Sequence, residues 1–128
     1  YSDIIKFIKR VKLNKQKTIK FIKNNNKLGK KIFLYGASTK GNTLLQYYGL
    51  TNKEIPFAAE RTKTKWGKYT VGSGVKILSE EKARKLNPDY FFVMPYGFIK
   101  EFIKREKKWL RSGGKFILPY PKFKVLKT

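Results

Sequence analysis

Two residue types that carry much of protein chemistry are missing from this sequence. It contains no cysteine and no histidine, which excludes disulfides, thiolate nucleophiles, imidazole bases and the usual zinc sites within these residues. Proton transfer is left to eight carboxylates, the lysines and the tyrosines. Methionine occurs once, at Met94, and the first residue is Tyr1. We therefore expect the sequence to be a segment of a longer or a processed polypeptide.

Long apolar runs and targeting signals are also missing. No stretch of about 18 apolar residues occurs, so the sequence predicts no transmembrane helix. The first residues do not follow the pattern of a secretory signal peptide. We expect a cytoplasmic protein without a membrane partner.

Acidic residues are scarce, and the charge balance allows two interpretations. The chain has 31 lysines and arginines against 8 acidic residues, a formal net charge of +23. This charge predicts nonspecific binding to polyanions, and a basic nucleic-acid-binding module is one alternative function. The other interpretation is compositional drift, because AT-rich coding favours lysine, asparagine and isoleucine, and the lysines are spread over the whole chain.

Hydrophobic and aromatic residues are plentiful enough for a folded core. They make up 41% and 16% of the 128 residues, which is the length of one domain. Residues 2–23 show the spacing of an amphipathic helix that ends near the asparagines at 24–26. We predict one domain over residues 1–128, with a leading helix over 1–26 and an α/β core over 30–121.

Short apolar runs alternate with helical segments along the core. The order is β-α-β-(short α)-β-α-β, with helix 98–110 between the last two strands. Continuous apolar strands joined by helices indicate a parallel sheet that is covered on both faces. The predicted fold is a small Rossmann-like domain with a mainly parallel sheet of four or five strands, helices on both faces and a long N-terminal helix.

A glycine-rich turn follows the first strand and is the main candidate site. Glycines allow a tight turn, and the N–H groups at the start of the next helix suit an anion. The spacing is neither G-x-G-x-x-G nor a Walker A motif, so a plain strand–helix turn is the alternative. The candidate anion-contacting residues are Gly36, Ala37, Ser38, Thr39, Lys40, Gly41 and Asn42.

Three further residues are candidates for the rim of this site. Glu60 ends the second strand, where an acid can accept hydrogen bonds from ribose hydroxyls, or can be a solvated carboxylate paired with Arg61 or Lys63. Tyr96 follows the third strand and Tyr69 lies in a basic loop. Each tyrosine can contact a base or a sugar, or can simply cover the core.

The combined order of these motifs resembles the C-terminal domain of sugar C-methyltransferases. The resemblance covers nearly the whole chain and is carried by the Tyr-Gly-Ala-Ser-Thr-Lys-Gly-Asn-Thr-Leu-Leu stretch at 35–45, the loop at 65–74, the strand end at 93–96 and the last strand with its prolines at 113–121. Val71 stands where the family usually has proline, and Glu60 where it often has aspartate.

The resemblance implies a three-part enzyme that acts on nucleotide-linked deoxysugars. In that family, zinc and S-adenosylmethionine (SAM) belong to an N-terminal and a middle domain, and the C-terminal domain helps to hold the sugar nucleotide and closes the active site. The present chain would then contain no catalytic residue, no metal site and no cofactor of its own. Its partners would be the nucleotide sugar and the upstream methyltransferase domain of the same chain. A free-standing nucleotide- or dinucleotide-binding domain is the alternative that the glycine-rich turn and Glu60 leave open.

Overall fold

A six-stranded sheet lies at the centre of the computed structural model, which describes residues 2–94, 99–119 and 122–127. Helices cover the sheet on both faces. The elements in chain order are α1 (Ser2–Lys27), β1 (Ile32–Tyr35), α2 (Thr39–Tyr48), β2 (Phe57–Glu60), a 3₁₀ turn (Lys63–Lys65), β3 (Lys76–Ser79), α3 (Glu80–Lys85), β4 (Tyr90–Val93), α4 (Ile99–Arg105), α5 (Lys107–Arg111), β5 (Lys115–Leu118) and β6 (Lys124–Leu126).

The strand order confirms the predicted Rossmann-like α/β fold. The strands lie in the order β3-β2-β1-β4-β5-β6, and the first five are parallel. The sheet has six strands rather than four or five, because β6 adds to β5 in the antiparallel direction. Strand β6 lies at the sheet edge and is only three residues long. So short a segment has too weak a sequence pattern to be predicted as a strand.

The two faces of the sheet bury different side chains of the same strands. On one face, Leu34 and Phe92 pack with Leu45 of α2 and Ile22 of α1. On the other face, a second cluster joins α3 and α5 to the sheet: Phe33, Phe91, Phe116, Ala83 and Trp109. Burial on both faces explains why β1 and β4 are continuous apolar runs rather than alternating ones.

Helix α1 is longer than predicted and is only partly covered by its own domain. The asparagines at 24–26 do not end it, and the side-chain amides of Asn25 and Asn26 donate to the carbonyls of Phe21 and Glu54. The C-terminal half of α1 packs on the sheet. The apolar side chains of the first two turns are exposed, with Ile4 at 63%.

The predicted helix over 98–110 is two helices, α4 and α5, separated by Glu106 (Phe98 lies outside the described residues). The Glu106 carboxylate is fully buried and accepts hydrogen bonds from Tyr35 Oη at 2.7 Å and from Arg84 Nε at 2.8 Å. Burial and the hydrogen bond to Glu106 raise the pKa of Tyr35, so its phenol stays a neutral donor. The prediction treated 98–110 as one continuous amphipathic helix and assigned no role to Glu106.

Candidate functional site

The predicted strand–turn–helix motif is present between β1 and α2. Gly36 has φ +83°, a left-handed conformation that favours glycine, and its N–H donates to Ala59 O at 2.7 Å. Ser38 is the N-cap of α2, and its Oγ accepts from the N–H of Gly41 at 3.0 Å. The turn is thus a rigid, capped entry into α2.

Glu60 lies inside this turn rather than on its rim. Its Oε1 accepts from the N–H of Ala37 at 2.7 Å and its Oε2 from the N–H of Thr62 at 2.8 Å. The residue is buried, with 8% of its surface exposed. Burial alone would raise the pKa of Glu60, but these hydrogen bonds and the nearby Lys65 ammonium lower it below its ordinary value. Glu60 is therefore a structural carboxylate bound to backbone amides, and not a solvated partner of Arg61 or Lys63.

The basic loop over residues 61–75 folds back onto the same turn. Lys65 Nζ donates to Ala37 O at 3.3 Å, and Trp66 Nε1 donates to Glu60 O at 2.8 Å. From the α2 side, Asn42 Nδ2 donates to Val71 O at 2.8 Å. Asn42 thus holds the loop against α2, and Tyr69 lies on this loop with 60% of its surface exposed.

The start of α2 presents two of the predicted residues to solvent. Thr39 and Lys40 are exposed and lie in the first helical turn, where backbone N–H groups have no acceptor within the helix. The positive end of the helix dipole adds to the Lys40 charge there. Tyr96, the remaining predicted residue, lies outside the described residues.

A crevice of about 470 Å³ lies at the carboxyl ends of the strands, next to this turn. Gly36, Ser38 and Glu60 of the predicted set line it. Helices α3 and α4 add charged and aromatic side chains that the sequence reasoning missed, namely Glu80, Glu101, Phe102 and Arg105. The sequence contained a signal for two of them, because Glu101 and Arg105 are four residues apart and therefore lie on one side of the helix that follows β4.

Arg105 is held in place from two sides. Its Nη1 donates to Glu80 Oε2 at 2.9 Å, and its guanidinium carbon lies 5.3 Å from the ring centre of Phe102 and 5.8 Å from that of Tyr35. Glu80 also lies 3.6 Å from Arg84, which pairs with the buried Glu106. Two glutamates and two arginines therefore form one connected network, of which Glu80 and Arg105 line the crevice.

A second, apolar cavity of about 400 Å³ runs along the outer side of α2. Leu44, Tyr47 and Met94 line it, and Lys40 lies at its edge. Lys15 of α1 places its ammonium 4.5 Å from the ring centre of Tyr47, so this cavity lies near the middle of α1.

Neither a metal-binding cluster nor a membrane-spanning helix occurs in residues 2–94, 99–119 and 122–127. No group of three or more histidine, cysteine or acidic residues suited to a metal ion occurs in these ranges. Within the same ranges, no helix combines the length and the apolar character needed to cross a bilayer.

Comparison with known proteins gives a family match over almost the whole chain. Residues 2–121 match the family model for the C-methyltransferase C-terminal domain. The chain is also 41% identical over 98 residues to the C-methyltransferase NovU of Streptomyces niveus. That alignment covers 77% of this chain but 23% of the relative, so the chain spans less than a quarter of the length of the curated relative it matches.

The Glu60 contacts lead to a stability prediction. We expect Glu60→Gln to lower the free energy of unfolding at neutral pH by about 1.5–3 kcal/mol, because two charge-assisted hydrogen bonds are weakened or lost. Since the folded-state pKa is depressed, the wild-type advantage is complete above the ordinary value of 4.5 and is lost as the pH falls through the folded-state pKa. Urea denaturation of both proteins across this pH range measures the difference.

The matched control is Glu81→Gln, which removes the same charge from a side chain that is 78% exposed. It should change the stability by less than about 1 kcal/mol. An equally stable Glu60→Gln protein at neutral pH would contradict the role given to this carboxylate.

Proposed function

The chain belongs to the C-methyltransferase C-terminal domain family, and from this premise we propose that it is the substrate-side domain of a SAM-dependent C-methyltransferase that acts on a nucleotide-linked sugar. In this proposal the domain helps to hold the sugar nucleotide and packs against the methyltransferase domain of the same polypeptide. It contributes no residue to methyl transfer itself.

The observation that carries the proposal is the position of the crevice. The chain runs outward from β1 to β2 and β3, then returns to place β4 on the other side of β1. Such a reversal leaves an opening between the carboxyl ends of the two central strands, which is where open α/β sheets bind ligands. The 470 Å³ crevice lies at these strand ends, beside the start of α2.

The phosphate groups of the ligand are assigned to the first turn of α2. The N–H of Ala37 is already donated to Glu60, so the anion contacts fall to the N–H groups of Thr39 and Lys40 and to the Lys40 ammonium. Gly36 and Gly41 shape the turn, while Asn42 and Tyr69 hold and border the adjacent loop. A contact from Tyr96 stays a prediction from the sequence.

Zinc and SAM are assigned to polypeptide outside these residues. Structural and catalytic zinc sites are built mainly from cysteine and histidine, and neither residue occurs in the chain. The relative NovU is more than four times as long as the aligned segment, which leaves ample length for separate zinc- and SAM-binding domains in an enzyme of that size.

Packing on the methyltransferase domain is assigned to the N-terminal half of α1. Ile4, Phe7 and Ile8 continue the helix side that is buried at Thr18 and Ile22, yet they are 46–63% exposed. The apolar cavity along α2 lies near the middle of the same helix. Apolar side chains along an already buried helix side favour a protein partner that covers the rest of it.

The anion-binding role of Lys40 gives a first test. We expect Lys40→Ala to weaken binding of a nucleotide sugar to the complete polypeptide about three- to tenfold, because a charge-assisted contact to phosphate is lost. Isothermal titration measures the change. Lys53→Ala is the matched control, since Lys53 is also exposed but precedes β2, at the opposite edge of the sheet. Equal affinities for wild type and Lys40→Ala would refute the role of Lys40, though not the family.

The packing role of α1 gives a second test. In the complete polypeptide, the amides of residues 2–13 should exchange slowly with deuterium, and the double substitution Ile4→Ser and Ile8→Ser should accelerate their exchange by at least about tenfold. The control substitutes Lys6 and Lys9, on the basic side of the helix, by serine and should change the exchange little. Fast exchange of residues 2–13 in the wild-type polypeptide would show that nothing covers this half of α1.

A further inference from the structure

The crevice between β1 and β4 is acidic in an otherwise strongly basic protein. The whole chain has 31 basic and 8 acidic residues. Yet among the residues that the structure describes, three carboxylates line this crevice, those of Glu60, Glu80 and Glu101, against the two guanidinium groups of Arg61 and Arg105. The lining thus carries one net negative charge, which disfavours a phosphate group there.

We propose that this crevice binds the hydroxyl groups of a neutral sugar ring, and that the phosphates of the ligand lie outside it, at the start of α2. The proposal rests on the proposed function, because the sugar is taken to be the glycosyl part of a nucleotide sugar. It assigns the uncharged sugar ring to the crevice and the charged phosphates to the start of α2.

Glu60 provides the first argument, because it uses the part of the turn that a pyrophosphate would need. In dinucleotide-binding turns the backbone approaches the pyrophosphate and donates N–H groups to it. Here the Ala37 N–H donates to Glu60 Oε1 at 2.7 Å, and the carboxylate is buried and ionised at neutral pH. A phosphate in this part of the crevice would be repelled by the Glu60 carboxylate, and the Ala37 N–H would not be available to bind it.

Glu101 provides the second argument, because it is suited to accept hydrogen bonds from hydroxyl groups. Within the part of the chain that the structure describes, no hydrogen bond or ion pair engages its carboxylate. An ionised carboxylate only accepts hydrogen bonds, and so it pairs with hydroxyl donors but repels phosphate oxygens.

Arg105 supplies donors on the same side of α4. A guanidinium has five N–H donors, of which one joins Glu80 Oε2. The rings of Phe102 and Tyr35 lie within cation–π distance of its guanidinium, so little side-chain freedom is lost when a ligand binds. Glu101 supplies hydrogen-bond acceptors and Arg105 supplies donors, and the two residues are four apart on one helix. Together they provide the donors and acceptors that vicinal hydroxyl groups require.

The test compares each nucleotide sugar with the nucleoside diphosphate that lacks its sugar. UDP-glucose, UDP, dTDP-glucose and dTDP are titrated into the complete polypeptide, as wild type and as Glu101→Gln. We expect Glu101→Gln to reduce the affinity for the better of the two sugar nucleotides about tenfold. Its affinity for the matching diphosphate should be unchanged or higher, because one negative charge is removed.

Controls separate this inference from the function on which it rests. Glu81→Gln removes an equal charge outside the crevice and should leave both affinities unchanged. Arg105→Lys keeps the charge but loses the planar fork, and should also reduce the affinity for the sugar nucleotide alone.

Two results would overturn the inference while leaving the proposed function intact. One is that the wild type binds a sugar nucleotide and its diphosphate with equal affinity. The other is that Glu101→Gln raises the affinities for both ligands together or leaves both unchanged. A wild-type polypeptide that binds neither sugar nucleotide would refute the proposed function as well.

Discussion

The hydrogen bonds that the Glu60 carboxylate accepts from the backbone join two segments at the carboxyl ends of the central strands. One comes from Ala37 in the turn between β1 and α2, and the other from Thr62 at the start of the basic loop. Through its carbonyl, Glu60 also accepts from Trp66, which anchors the loop from a second point. An acid at the end of β2 therefore organises the turn and the loop from within, where many nucleotide-binding domains use that acid on a ribose.

This arrangement helps to distinguish between two functions that a Rossmann-like fold can have. A free-standing dinucleotide-binding domain needs the backbone of the turn for its pyrophosphate, whereas here part of that backbone is used by Glu60. The acidic crevice beside it suits an uncharged, hydroxyl-bearing group better than a phosphate. Together with the family match over residues 2–121, these contacts support the proposal that the domain holds part of a substrate for chemistry performed elsewhere in the polypeptide.

Much of the fold and part of the site could be predicted from the sequence. Strands buried on both faces are continuous apolar runs, and the Gly36 and Ser38 pair marks a left-handed turn and a helix cap. Contacts between distant segments could not be predicted, because they depend on how helices lie on the sheet. Glu106 is a buried partner of Arg84 on the neighbouring helix α3, and Arg105 reaches the crevice only because α4 follows β4.

The most direct test of this account is a crystal structure of the complete polypeptide with a nucleotide sugar bound. The account predicts that the hexose lies in the crevice between β1 and β4, within hydrogen-bonding distance of Glu101 and Arg105. It also predicts that the phosphates lie at the start of α2 and that Glu60 still accepts from the Ala37 N–H. A phosphate inside the crevice, with Glu60 displaced from the turn, would contradict it, as would a ligand bound entirely by other domains.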